Sequence, residues 1–315
     1  MKSGQRIRRR GLQYRLRYRA GEYFLRALIA SFRWLPASAP QHISSFTEQL
    51  SFRLLWRYRK RMHDTLEQTM GNEFGTEVER RAIARQAWRN ITQGALEIIT
   101  ALYLPKDELC SRITISGEAR LREALARKKG VLALSAHFGS FGMIGPRLAA
   151  QGYECSAVVK LAGETRLGKL QKEIGTRTGV KIIPARPRRE SVLQVITALR
   201  KNQIVLLIPD EFKSPGVSVD FLGRRVSAPR SPITIARRTG AAVLPVFMIR
   251  NRHNQLTLNI ESAISFVETG NKQADLSTNA RLFIQEIENM VRRYPEQWSW
   301  MGLRDIRKSD GSGAI

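Results

Sequence analysis

The spacing of apolar residues changes once along the chain. Over 50–104 they recur at a helical period among many Arg, Glu and Gln, with few Gly or Pro. Residues 77–102 read as one long amphipathic helix, with Thr76 as N-cap ahead of Glu79 and Pro105 beyond its end. After about residue 113, short apolar runs alternate with helical stretches. Residues 131–136, 156–159, 180–184, 204–208, 242–249 and 256–260 read as strands. Residues 163–178, 189–201 and 232–239 read as helices between them, and 275–294 as a last one. Pro232 suits the first turn of its helix, and Gly240 suits the stop. The alternation predicts an α/β fold: a helical N-terminal region, then a mixed, partly parallel sheet flanked by helices. The expected division is 1–112, 113–308 and a flexible tail over 309–315.

Composition sharpens this. The 315 residues carry 53 Lys and Arg against 27 Asp and Glu, a net charge of +26. Residues 1–61 hold 15 of the basic residues and only Glu22 and Glu48 as acids, so that segment alone carries +13. Anionic partners follow: a membrane surface, a phosphorylated lipid, an acidic protein or nucleic acid. Within 23–35, Leu25, Leu28, Ile29, Phe32 and Leu35 share one helical face, while Arg26 and Arg33 interrupt the apolar run. Spanning a bilayer takes about 20 apolar residues, so this stretch is too short. It suits instead a helix lying on an anionic membrane surface, and the 1–112 region is expected to associate with membranes. A signal peptide is not supported, because no small-residue cleavage site follows. Zinc-finger spacing and an aromatic RNA-binding string are absent, so nucleic acid is not the expected partner. Cys110 and Cys155 make neither a disulfide framework nor a zinc site, and no metal is expected.

The richest run for chemistry is 131–142, VLALSAHFGSFG. A buried strand ends near His137, and a small-residue turn leads into a helix. Ligands bind at the carboxyl ends of strands in open α/β sheets; a His there is placed either to act as a general base or merely to hydrogen-bond the turn. Residues 163–170, GETRLGKL, narrowly miss a P-loop, because Leu170 stands where magnesium needs a Ser or Thr hydroxyl. No GxSxG elbow surrounds Ser135 or Ser140, which removes the serine hydrolase reading.

Several stretches, taken in order, resemble the lipid A late acyltransferases, the lauroyl and myristoyl transferases of the wider lysophospholipid acyltransferase group. They are the basic N-terminus with its short apolar helix, RRAIARQAWRNITQGALEI over 80–98, and GVLALSAHFGSFGMIG over 130–145. LLIPDEFKSPGVSVDFLGRRVSAPRSPITIARRTGAAVLPVF over 206–247 and RRYPEQWSWMGLR over 292–304 complete the set. The resemblance implies a fatty acyl chain moved from an acyl thioester, on acyl carrier protein or coenzyme A, to a hydroxyl of a lipid A-type precursor or related glycolipid. It implies no cofactor beyond that donor, and work at the cytoplasmic face of a bacterial inner membrane, peripherally or monotopically. In that family the base His is followed five positions later by Asp or Glu. Here the His is His137 and the fifth residue is Gly142. Asp210 or Glu211, beyond another strand end, is the candidate replacement. The turn holding Gly139 and Ser140 is expected at the substrate, its amides serving as oxyanion donors. Gly223, Arg224, Arg225, Arg230 and Ser231 match the family's second substrate-binding stretch, where they would meet the phosphates of the acceptor or an acidic carrier. The alternative is a lipid- or partner-binding homologue whose catalysis is impaired by Gly142.

Overall fold

The computed structural model describes residues 23, 26–34, 39–70, 75–162, 166–212, 215–301 and 303. The basic stretch before residue 23, Leu25 and Leu35 of the apolar helix, residues 163–165 of the near P-loop and the tail 309–315 lie outside them.

Four helices precede the sheet. Helix α1 covers 26–32. Helices α2 (Ala39–Leu54) and α3 (Trp56–Met70) are joined through Leu55, and both pack on α4 (Glu77–Thr100). The expected capping box opens α4: the Thr76 hydroxyl accepts from Glu79 N–H, and the Glu79 carboxylate accepts from Thr76 N–H at 2.7 Å. A short helix α5 (Lys106–Arg112) starts directly after Pro105.

The sheet then unfolds as β1 (Ile113–Ser116), β2 (Val131–Leu134), β3 (Cys155–Val159), β4 (Val180–Pro184), β5 (Ile204–Leu207), β8 (Ala242–Arg250) and β9 (Leu256–Ile260). Their spatial order is β1-β9-β8-β2-β5-β3-β4. Every neighbouring pair is parallel except β8 with β9. Helices α6 (Glu118–Ala126), α7 (Ile144–Ala150), α8 (Arg166–Arg177), α9 (Arg188–Arg200), α10 (Ser231–Thr239) and α11 (Lys272–Arg293) cover it. A separate antiparallel hairpin, β6 (Val217–Phe221) and β7 (Arg224–Ala228), packs on α11.

Strand β2 explains its own sequence. Leu132 and Leu134 enter one apolar cluster with Val205, Val243 and Phe247; Val131 and Ala133 enter another with Ile204, Leu206 and Leu244. Both faces are covered, so the strand reads as a continuous apolar run instead of an alternating one.

Part of the N-terminal apolar helix packs inward. Ile29 and Phe32 are buried against Leu96 and Ile99 of α4 and Leu170 of α8. The face expected to meet lipid is, at these positions, packed on the protein. No helix among the described residues is long and apolar enough to cross a membrane.

Candidate active site

Strands β2 and β5 are parallel neighbours, with Leu134 paired to Leu207. Each chain then runs three residues beyond its pair, to His137 and to Asp210. The shared register delivers the two side chains to the same point, though 73 residues separate them. Asp210 Oδ1 lies 2.7 Å from His137 Nδ1. Asp210 Oδ2 accepts from His137 N–H at 2.8 Å and from Trp298 Nε1–H at 3.0 Å. The carboxylate is 1% exposed, whereas the His137 side chain is 34% exposed. The acid is thus sealed in the protein and the imidazole faces outward.

Burial works against ionisation of Asp210. The hydrogen bond and charge of the His137 ring, the Trp298 indole and the His137 backbone N–H outweigh it and hold the carboxyl below its ordinary value. An ionised Asp210 requires a proton on Nδ1, which leaves the Nε2 lone pair as the basic one. Phe141 sits edge-on to the imidazole, with ring centroids 5.0 Å apart. Glu211, the other candidate acid, is exposed.

The closing segment of the chain builds the other wall. Phe138 bridges to Trp298, and Ser299 N–H donates to His137 O at 3.0 Å. Gly139 N–H donates to Gln297 O at 2.6 Å, so that amide is committed to the fold; Ser140, Phe141 and Gly142 supply the remaining amides of the turn. Gly139 has φ +52, and a Cβ there would stand 2.3 Å from Met248 O. Only glycine fits this close approach. Gly139→Ala is expected to lower the melting temperature by several degrees and to abolish most activity, measured by thermal unfolding alongside turnover.

A buried polar group fastens the same turn from behind. Ser140, 1% exposed, donates its hydroxyl to the Glu97 carboxylate of α4 and accepts from Arg250 Nη2 at 2.6 Å. Arg250 Nη2 also pairs with Glu97 at 2.7 Å, and Gln93 donates to both Glu97 and Asn254. Gln297 grips the Arg250 backbone from both sides, at 2.9 and 2.8 Å. The Ser140 hydroxyl is therefore spent inside the protein. Gly142 lies beside Ile98, 3.8 Å from where its Cβ would be. Ser140→Ala removes the tether but keeps the Glu97–Arg250 pair. It is expected to cut kcat about tenfold and to lower the melting temperature by a few degrees, because a buried donor and acceptor lose a partner.

The remaining candidates sit on or beside the β6–β7 hairpin. Gly223 occupies its turn at φ +69, where the backbone needs it. Arg224 donates to Gln68 O near the end of α3, at 2.7 and 3.1 Å. Arg225 pairs with Asp220 across the hairpin at 3.5 Å, and Arg230 reaches Gly216 O at 3.5 Å. Ser231 opens α10. Phe221 packs edge-on to Trp298 at 5.4 Å, so the hairpin supports the indole that holds Asp210. Sequence reasoning missed Glu97, Arg250, Gln297 and Trp298 as individual residues. Three of them lay in view, inside the 80–98 and 292–304 stretches.

A His held on a buried carboxylate at the carboxyl end of a parallel sheet, beside the 139–142 turn, is an arrangement that can take a proton from a hydroxyl. The family model for bacterial lipid A biosynthesis acyltransferases matches residues 10–304, and the chain belongs to that family. It is an acyltransferase. Among curated relatives, the lipid A biosynthesis lauroyltransferase of Escherichia coli K12 is 22% identical over 296 residues, covering 92% of this chain and 94% of that one. A lipid A biosynthesis acyltransferase of Haemophilus influenzae Rd is 24% identical over 72% of this chain and 69% of that one. A phosphatidylinositol mannoside acyltransferase of Mycobacterium tuberculosis H37Rv is 28% identical over 42% of each chain.

Proposed function

We propose that the protein transfers a fatty acyl chain from an acyl thioester, on acyl carrier protein or coenzyme A, to a hydroxyl of a lipid A-type precursor or related glycolipid. Relatives named for lipid A and for phosphatidylinositol mannoside support a glycolipid acceptor. His137 Nε2 takes the proton of the acceptor hydroxyl as its oxygen attacks the thioester carbonyl. Asp210 fixes the tautomer and stabilises the imidazolium. Amides of Ser140, Phe141 and Gly142 hold the oxyanion. The intermediate collapses, the C–S bond breaks, and the imidazolium returns its proton to the leaving thiolate. The acceptor oxygen attacks the thioester directly, so the route passes through no acyl-enzyme.

The observation that carries this reading is the 2.7 Å His137–Asp210 pair. It gives the imidazole a carboxylate despite Gly142, which favours an active enzyme over an impaired binding homologue. The acceptor lies in a membrane, and we place the enzyme peripherally at the cytoplasmic face of the bacterial inner membrane, where acyl thioesters are made. The +26 charge suits a phosphorylated lipid and an acidic carrier.

Purified protein incubated with a phosphorylated glycolipid in detergent, and with either acyl carrier protein or coenzyme A thioesters, tests the reading. The expected product is the acceptor heavier by one acyl chain. Thioester hydrolysis to free fatty acid, with no acceptor gain, would contradict it.

A further inference from the structure

Among the described residues, none covers the joint between α2 and α3. Arg53 through Lys60 are exposed without interruption, a run longer than two helical turns. A helix lying on the protein would bury one side of such a run, so every side of this one faces outward. Its composition is unusual for a surface. Leu54 is 68% exposed and Trp56 53%, and Leu55 and Tyr58 are exposed as well. Phe46 and Leu50 are also exposed and, at four-residue intervals, extend the same stripe from Leu54 back along α2. Arg53, Arg57, Arg59, Lys60 and Arg61 are interleaved with these residues, and no acid occurs from Gln49 to His63.

The joint is rigidly mounted. On the inner side of α2, Glu48 is buried and pairs with Arg85 at 3.1 Å, and Ser51 accepts from Trp88 Nε1–H at 2.9 Å. Arg59 and Arg85 both lie over the Phe52 ring. The exposed stripe therefore owes nothing to a loose helix.

We propose that this joint is the surface that docks the enzyme on an anionic lipid bilayer. Leu54, Leu55 and Trp56 enter the headgroup region, and the flanking basic residues meet lipid phosphates. A bilayer interface satisfies both halves of the composition, taking the leucines and Trp56 among the headgroups and pairing the cations with lipid phosphates. Ile29 and Phe32 of α1 are packed inward, whereas the apolar residues of the α2–α3 joint are exposed. The proposal rests on the reading that the acceptor is a membrane lipid.

The test compares wild type with Leu54→Gln/Trp56→Gln and with Arg53→Gln/Arg57→Gln/Lys60→Gln. Binding is measured by co-sedimentation with phosphatidylcholine vesicles, with and without phosphatidylglycerol. All substituted side chains are exposed, so melting temperatures are expected to hold. Wild type should prefer the anionic vesicles, and binding should weaken with added salt. Each variant should lose at least about tenfold in vesicle affinity, the first by withdrawing apolar side chains from the headgroup region and the second by removing three cations from the anionic surface. Transfer to acceptor in detergent should stay at the wild-type rate, and transfer to acceptor in vesicles should fall with binding. Wild-type vesicle affinity in both variants would overturn the proposal. So would a charge variant that loses only acyl carrier protein or nucleic acid binding. The detergent assay separates the two readings: if wild type transfers nothing there, acyl transfer fails whatever the vesicles show.

Discussion

Replacing His137 by Ala is expected to lower kcat for acyl transfer about 10³-fold, the range a positioned general base supplies. The loss should be chemical, not structural. The backbone of residue 137 still donates to Asp210 and still accepts from Ser299, so the loop keeps its course. KM for the thioester should change little, because the imidazole acts on the acceptor hydroxyl. His137→Gln, which can still donate to the buried carboxylate, should be as inactive as His137→Ala while melting at the wild-type temperature. Turnover in either variant within tenfold of wild type would remove His137 from the chemistry.

Asp210→Asn is expected to cost about as much, through the tautomer of a ring that remains in place. Three donors converge on this carboxylate: His137 N–H and Trp298 Nε1–H on Oδ2, and the imidazole on Oδ1. Asn has one acceptor oxygen. Turned toward the two Oδ2 donors, it sets its NH₂ against Nδ1 and makes Nδ1 accept. The ring proton then moves to Nε2, which can no longer act as base. Glu211→Ala, at an exposed position, should stay within about threefold of wild type. Stability gives an independent readout. The folded carboxyl titrates below its ordinary value, whereas the unfolded one titrates near 3.9. Its stabilising contribution is whole above about pH 4 and is lost as pH falls through the folded value. The stability gap between wild type and Asp210→Asn, measured by denaturant titration, should therefore close with acidification below pH 4.

What the sequence revealed and what it hid divide along physical lines. Local chemistry was legible. Thr76 and Glu79 mark the start of α4, Gly240 the stop of α10, and the doubly buried β2 announces itself by an unbroken apolar run. The place of His137 just past the end of that strand was legible as well. The choice between Asp210 and Glu211 was not. It depends on which neighbour of β2 is β5, and in which register, a pairing of residues 73 apart. The β6–β7 hairpin was hidden for another reason. Its arginines drew the reading toward phosphate, while the alternating burial of Val217, Val219 and Phe221 carried the strand signal. The fate of the α1 face was beyond reach, since an amphipathic helix reads the same whether its apolar side meets lipid or Leu96, Ile99 and Leu170.

The central claim is that His137 and Asp210 together move an acyl chain onto a membrane glycolipid. Mass spectrometry of total lipids tests it most directly, in cells lacking the gene and in the same cells supplied with wild type or with Asp210→Asn. The deletion strain is expected to carry a glycolipid lighter by one acyl chain, restored by wild type and not by Asp210→Asn. An unchanged lipid profile in the deletion strain, or full restoration by Asp210→Asn, would contradict it.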